Sequence, residues 1–377
     1  FADRFIPKKN KYKKDPVYPL IIDICKNCGF IQSRIVTNPN VRYSELDYSY
    51  TSANSNYSRK HWKEFAHQLE KKINIKNKKI IEIGSNDGFL SLILKRKGAN
   101  ILGLDASKFM VKLSKNNGIR SIQSIFSFNE SKKIKKIFGK ANIIIANNVF
   151  NHSNNPMDFL KGVENLLEED GIFVFEQPNF TVGAISLKFD QIYHEHVSYF
   201  TVKNIKSILN FSNFKINHIS KNEYHGGSLR TFAAKKESKL KEFSIKNLLN
   251  YEIKNRIYNL DFYKKMMRKI NFKKTLFLRK INKLISEGYT ISGVGAGAKS
   301  NTFLTFYGLN TDKIKFLTDG SIYKQNKLTP VTRIPIQDDK ELIKYNKIAC
   351  IILSWNISTF VISKIKKINK KIKIIYT

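Results

Sequence analysis

A chain of 377 residues exceeds one ordinary domain, and at ~150 residues per domain its length favours two or three. Hydrophobic residues make up 42%, which is enough to build buried cores and excludes wholesale disorder, and no apolar run approaches the ~18–20 residues that cross a bilayer. Lys and Arg number 67 against 30 Asp and Glu, a formal charge of +37. The lysines are spread among Ile and Asn along the whole chain and are not gathered in one patch with aromatic platforms. Solvated lysine faces are therefore expected, with neither a nucleic acid nor a membrane as partner. Such a surface still attracts a phosphorylated small substrate. The first residues hold no apolar leader, so the expected setting is cytoplasmic, and the expected state a monomer.

Residues 1 to about 58 are loop-rich, with Pro7, Pro16, Pro19 and Pro39 interrupting any helix. Three cysteines (Cys25, Cys28 and Cys350) build no disulfide framework, which fits a reducing compartment. Cys25 and Cys28, in the run CKNCG, have the spacing of a zinc knuckle but supply only two of four ligands. Half of a zinc site and a chance pair in a turn both stay open. From 60 to 74, Trp62, Phe65, Ala66, Leu69 and Ile73 recur at helical spacing.

An α/β pattern follows. KKIIEIGSNDGFL reads as strand, glycine turn and helix start, with NILGLDAS and ANIIIANNVF as the next strands and GIFVFEQPN as the fourth, after a helix at 157–167. A Lys-rich helical stretch spans about 240–287. A second strand–turn–helix unit opens at YTISGVGAGAKSNTFLTFYG, with KIKFLTDGS and KIACIILSW as further strands. The pattern predicts two Rossmann-like doubly wound domains, at 59–235 and 236–377, behind a small zinc-binding-type module at 1–58.

In the first turn, Glu82 ends a strand and Gly84 and Gly88 bracket Ser85 and Asn86. Asp105 ends the second strand, where a carboxylate can accept both hydroxyls of a ribose. Asn147 and Asn148 end the third, where amides can satisfy a cofactor's polar groups. A dinucleotide site prefers GxGxxG, with the pyrophosphate at the helix start. ExGxxxG instead resembles the first motif of S-adenosylmethionine-dependent methyltransferases. The second turn, with Gly293, Gly295 and Ala298 and with Asp319 ending the next strand, fits a looser GxGxxA, so a nicotinamide cofactor remains a rival there.

The densest chemistry lies in FDQIYHEHVSYF, Phe189 to Phe200, where two histidines, a carboxylate and two tyrosines fall between Tyr193 and Tyr199. HEH lacks the i, i+4 histidine spacing of a helical zinc site. A histidine beside a carboxylate suits proton abstraction next to a carbonyl. An extended segment places His194 and His196 on one side and Glu195 on the other, whereas a turn lets all three converge.

EQPN from Glu176, DQIYHEHVSYF from Asp190, HGGSLR from His225, GVGAGAKSNT from Gly293, DGS from Asp319, KQN from Lys324 and PVTRIPI from Pro330 form an ordered set. FADRFIP from Phe1, YPL from Tyr18, CKNCG from Cys25 and YSYTSANS from Tyr48 extend it to the front of the chain. Together they resemble the sugar C-methyltransferases of deoxysugar and branched-sugar biosynthesis. The resemblance implies methyl transfer from S-adenosylmethionine to the carbon beside a keto group of a nucleotide-linked sugar. It implies His196 as general base, Glu195 and Tyr193 orienting it or stabilising the enolate, and Tyr48 closing over the methyl donor. It places His194 and the run from His225 to Arg230 on the sugar side, and Lys299, Asn301 and the turn at 293–297 around the nucleotide's diphosphate. The family carries an upstream CxxC that completes a zinc site, and this chain starts just after it. Cys25 and Cys28 are therefore expected to be a half-site with zinc absent or poorly retained, His61 being a reserve ligand. His152 lies before an SNNP stretch that departs from the family pattern and is given no role. An O-methyltransferase and a non-catalytic sugar-nucleotide-binding relative remain as alternatives.

Overall fold

The computed structural model describes residues 2–44, 51–53 and 55–377. They divide into two compact units. The larger comprises Ile21–Val182 with His196–Tyr258, and the smaller comprises Phe1–Leu20, Gly183–Glu195 and Asn259–Thr377.

The larger unit is built on seven strands: β1 (Lys79–Ile83), β2 (Asn100–Asp105), β3 (Ser121–Gln123), β4 (Ala141–Asn147), β5 (Leu167–Pro178), β6 (Phe214–Asn222) and β7 (Ser228–Lys235). Their order in the sheet is β3-β2-β1-β4-β5-β7-β6, and only β7 runs against its neighbours. Strand order reverses between β1 and β4, and ligands of such sheets bind outside the carboxyl ends at that switch point. Alternate residues feed two cores. Ile81, Leu102, Ile144 and Phe175 face one side. Ile80, Ile101, Ile145 and Val174 face the other, with Trp62 and Phe65 of the helix Asn56–Lys72. Burial on both faces explains why these strands read as unbroken apolar runs. The helix runs as its spacing predicts, and Ser55 caps it by accepting the Ser58 N–H at 3.1 Å.

A three-stranded antiparallel sheet of Ile22–Ile24, Ile31–Ser33 and Ser198–Tyr199 ties the cysteine-bearing hairpin into this unit. The expected 1–58 segment is thus divided at Leu20, residues 2–20 belonging with the smaller unit. The reason is burial: Ile31 packs at 0% exposure and Phe30 meets Phe200 edge-on at 5.9 Å, whereas the front residues find their partners elsewhere.

In the smaller unit five parallel strands, β8 (Thr290–Val294), β9 (Phe316–Thr318), β10 (Ile336–Gln337), β11 (Ile348–Ile352) and β12 (Lys373–Tyr376), lie in the order β10-β9-β8-β11-β12. This is a second doubly wound sheet. Residues 2–20 strap it. Ile6–Pro7 pairs with Lys327–Leu328, Asp15 forms an ion pair with Arg333, and Arg333 Nε donates to the Lys11 carbonyl at 3.0 Å. Among the described residues no helix is long and apolar enough to cross a membrane.

Candidate active site

The first glycine turn closes the carboxyl end of β1. Gly84 has φ +72°, and a Cβ there would lie 2.0 Å from Val149 Cγ2, so only glycine fits. Gly88, at φ +78°, begins the helix Phe89–Arg96. Asn86 also takes a left-handed conformation, donates its N–H to Asp105 Oδ2 at 2.9 Å and accepts the Ser52 N–H at 2.8 Å. Asp105 accepts a second N–H, from Ser107 at 2.8 Å, and burial of its carboxylate raises its pKa to about 6. Glu82 is 5% exposed and accepts the Ser91 hydroxyl, so it anchors the turn to its helix.

Burial, with the charges of Asp87 and Asp105 adding to it, drives Glu82 up to about 8. Its folded value lies above the unfolded ~4.3, so its contribution to stability is present at low pH and is lost as pH rises through about 8. Denaturant midpoints of the wild type should fall between pH ~5 and ~8, and those of Glu82→Gln should fall less over the same window. Equal pH slopes in the two proteins would show that Glu82 does not titrate there.

Several polar atoms at these strand ends are buried and, among the described residues, lack a hydrogen-bond partner: both amide atoms of Asn147, Asn148 Oδ1, Ser85 Oγ and both amide atoms of Gln177. Unsatisfied buried groups are costly, so this end of the sheet has the donors and acceptors that a polar ligand needs. A carboxylate, a hydroxyl and two side-chain amides gathered at this end make a donor and acceptor set of the kind that S-adenosylmethionine, with its ribose and charged tail, requires.

From Asn148 the chain runs directly into His152, and there a second feature forms. His196 is 5% exposed, its carbonyl accepts Ser33 Oγ at 3.0 Å, and the next residue is held on both sides, Val197 N to Asn151 O at 2.9 Å and Ser33 N to Val197 O at 2.8 Å. The cysteine-bearing hairpin therefore clamps the backbone of His196. The His152 ring lies 5.2 Å from that of His196. Burial, then the charges of His196 and Arg42, hold His152 well below the ordinary histidine range, so it stays a neutral imidazole. Sequence reasoning gave His152 no role because the SNNP stretch after it departs from the family pattern, and no spacing signal joins it to a residue 44 positions later.

Tyr193 to Glu195 form a turn, which settles the local backbone against the extended alternative. These three residues fall in the smaller unit and His196 in the larger. His194 Nε2 lies 3.0 Å from the Tyr18 carbonyl, with the two rings edge-on at 5.7 Å, and Glu195 is 6% exposed. Tyr48 lies outside the described residues.

Arg230, expected on the sugar side, is 3% exposed and already engaged. It pairs with Glu176 (Nη2 at 2.6 Å, Nε at 2.8 Å), donates to Gln68 at 2.6 Å and lies over the Phe65 ring at 4.3 Å. His61 Nε2 meets the same carboxylate at 2.7 Å, Asn222 donates to it at 2.9 Å, and Tyr224 stacks on His61 at 3.8 Å. That corrects the reserve role of His61 as a metal ligand. Burial alone would raise Glu176, but the His61 hydrogen bond and the Arg230 charge outweigh it and hold the carboxyl below its usual range. His225 is half-buried at φ +56°, its ring 4.2 Å from Tyr224.

Cys25 and Cys28 sit at the hairpin tip, where the Gly29 N–H donates to the Cys25 carbonyl at 2.9 Å. The Cys28 and Asn27 N–H groups hold the Cys25 thiol below its ordinary pKa. Among the described residues no group of three or more His, Cys, Asp or Glu is placed to hold a metal ion. These two thiols alone leave a zinc ion short of ligands.

In the smaller unit Lys299 Nζ lies 4.9 Å over the Trp355 ring, and Trp355 Nε1 donates to Asp190 Oδ2 at 2.5 Å. Burial brings Lys299 down to about 8 against the pull of Asp190. Asn301 donates its amide to the Ala2 carbonyl. Asp319 accepts the Ala296 N–H at 2.8 Å and lies 3.6 Å from Lys324 Nζ.

Residues 55–219 match the model of a methyltransferase domain and residues 223–376 that of a C-methyltransferase C-terminal domain, leaving only 220–222 between them. The C-methyltransferase NovU of Streptomyces niveus is 23% identical over 355 residues, 94% of this chain and 84% of the relative. A ubiquinone biosynthesis O-methyltransferase of Pelagibacter ubique is 29% identical over 110 residues, 29% of this chain and 46% of the relative. Among solved structures, magnesium protoporphyrin IX methyltransferase of Synechocystis aligns with a TM-score of 0.39 at 17% identity, covering 47% of this chain and 83% of that one. The chain is an enzyme of the S-adenosylmethionine-dependent methyltransferase class. Within that class it is a C-methyltransferase.

Proposed function

We propose that the chain methylates the carbon beside a keto group of a nucleotide-linked sugar, with His196 as the base that removes the α-proton. The carrying observation is His196 itself. It is a buried imidazole, backbone-clamped by Ser33 and Asn151, beside a second, neutral imidazole that follows directly from the strand-end asparagines. A carbon beside a ketone must give up its proton before it can attack a methyl, and a positioned imidazole suits that step. The acceptor class rests on the ordered motifs EQPN, DQIYHEHVSYF and HGGSLR and on their resemblance to sugar C-methyltransferases.

When bound, the donor supplies an electrophilic methyl on a sulfonium. Asp105 accepts the ribose hydroxyls, and Ser85, Asn147 and Asn148 satisfy its remaining polar groups. His196 takes the α-proton, and the C–H electron pair moves into an enolate that Tyr193 and Glu195 stabilise or orient. The enolate carbon would then take the methyl, the new C–C bond forming as the methyl–sulfur bond breaks and its electron pair stays on sulfur. The resemblance assigns His194 and His225 to the sugar, and Lys299 would offer a cation to a phosphate of the acceptor.

Asp105 must be ionised to accept both hydroxyls, so donor affinity should rise with pH through about 6 and level off above it. Asp105→Asn should weaken S-adenosylmethionine in calorimetry and flatten that rise. The function itself is tested with nucleotide-linked 4-keto sugars and labelled donor. Label on carbon next to the ketone supports the proposal; label on oxygen, or transfer to acceptors lacking a carbonyl, refutes it.

A further inference from the structure

In the helix Lys246–Lys254 the one buried residue is a glutamate. Glu252 is 1% exposed, at a position where an apolar side chain would be ordinary. Four donors converge on its two carboxylate oxygens. Oε1 accepts the Thr181 hydroxyl at 2.8 Å and the Val202 N–H at 2.7 Å. Oε2 accepts the Lys203 N–H at 3.2 Å and the Tyr258 hydroxyl. A carboxylate accepts only and has about four lone-pair sites, so side chain and donors match. Nothing in the reaction described above uses this group.

The donors come from separate stretches of the chain. Val202 and Lys203 open the helix Val202–Phe211, whose N-cap Thr201 already serves the Asn204 N–H at 3.2 Å. Glu252 therefore satisfies the two first-turn amides that the cap leaves over, at the positive end of the helix. Thr181 stands on the other side of the run that carries Tyr193 to His196. Beside it the Phe180 N–H donates to the Phe200 carbonyl at 3.0 Å, and the Phe180 ring meets that of Tyr199 at 5.2 Å. The chain thus leaves the larger unit after Val182 and re-enters it at His196. The neck of this excursion has two sides, Phe180–Thr181 and Phe200–Val202, joined by one backbone hydrogen bond and one shared carboxylate oxygen.

A loop whose ends meet is ordered by whatever holds them together, because the entropy of closing it must be offset there. Ser33 and Asn151 hold the returning strand, at His196 and Val197. Glu252 is bonded to the departing side and the returning side at once. We infer that Glu252 is a positioning residue of the reaction: its carboxylate closes the neck of the loop Gly183–Glu195 and so fixes the backbone that carries Tyr193, Glu195 and His196. It acts through Thr181 and Val202, not by contact with the reacting atoms. The inference rests on the reading of Tyr193 to His196 as the catalytic run and deepens it.

The test joins hydrogen–deuterium exchange on the full chain, which needs no acceptor, to kinetics with a nucleotide-linked 4-keto sugar. Thr181→Val removes one hydroxyl from the departing side and leaves the helix cap in place. Exchange of the amides in 183–195 should rise about tenfold, the order that one hydrogen bond to a charged group supplies, while amides of β1, β2 and β4 keep their wild-type rates. In the same variant kcat should fall at least about threefold, with S-adenosylmethionine affinity and acceptor KM near the wild-type values. Glu252→Ala should show both effects more strongly. Glu252→Gln should stand between that variant and the wild type. Its one amide oxygen can still accept from Thr181 and Val202, but its N–H groups then face the Lys203 N–H. Exchange in 183–195 that is unchanged in Thr181→Val, or raised by the same factor throughout the larger unit, would overturn the inference. A loosened loop with unchanged kcat would overturn it as well. A wild type that methylates carbon in no keto sugar overturns the catalytic reading and the positioning role with it, and the exchange arm tells that failure from a failure of the neck.

Discussion

His196→Ala is expected to lower methyl transfer by roughly 10²–10⁴, the usual worth of a positioned general base, while S-adenosylmethionine affinity stays near the wild-type value. The split follows from the fold. The groups assigned to the donor lie at the carboxyl ends of β1, β2 and β4, whereas His196 is fixed through its backbone by Ser33 and through Val197 by Asn151. Truncating the imidazole leaves those backbone bonds intact, so a collapse of the unit should not confuse the result. A second readout isolates the proton step. With donor omitted, the wild type should exchange the acceptor's α-proton with deuterated solvent and His196→Ala should not. Exchange that persists in His196→Ala but vanishes in Glu195→Gln would transfer the role of base to the carboxylate. Exchange lost in neither variant would place the base elsewhere.

The architecture was legible wherever burial on both faces of a sheet writes an apolar run into the chain. β1, β2, β4 and β5, and later β8, β9 and β11, all lie where such runs predicted them. The turn chemistry was legible too, because Gly84 is compelled by a 2.0 Å approach to Val149. What escaped was whatever depends on partners remote in sequence. Asp15 and Arg333 are 318 positions apart, and Ala2 and Asn301 are 299 apart, so nothing in the loop-rich front of the chain announced that its first twenty residues belong to the last sheet. β7 carries Ser228, Arg230 and Thr231 among its apolar residues and sits between β5 and β6, an insertion that local periodicity does not encode. His152 and His196 come together only because Asn151 and Val197 share a backbone hydrogen bond.

Arg230 illustrates that limit, and its replacement should have the largest effect on stability. In sequence it ends HGGSLR and invites a reading as a sugar contact. In the fold its guanidinium is 4% exposed and pairs with a Glu176 carboxylate that is wholly buried. Arg230→Ala would leave that carboxylate with only His61 and Asn222, and stranding one partner of a buried ion pair typically costs about 3–5 kcal/mol. A drop of that size in unfolding free energy is expected by urea denaturation at neutral pH. Glu176 has a depressed folded pKa, so its stabilisation is present above its unfolded ~4.3 and is lost as pH falls below that; the deficit of Arg230→Ala should therefore shrink in acid. Adding Glu176→Gln should recover part of the loss, because the double variant buries no unpaired charge. A direct sugar contact behaves otherwise. It would raise the acceptor KM with little change in stability, and Glu176→Gln would not rescue it. Unchanged stability in Arg230→Ala together with a raised KM would return Arg230 to the acceptor site and leave Glu176 to be held by His61 and Asn222.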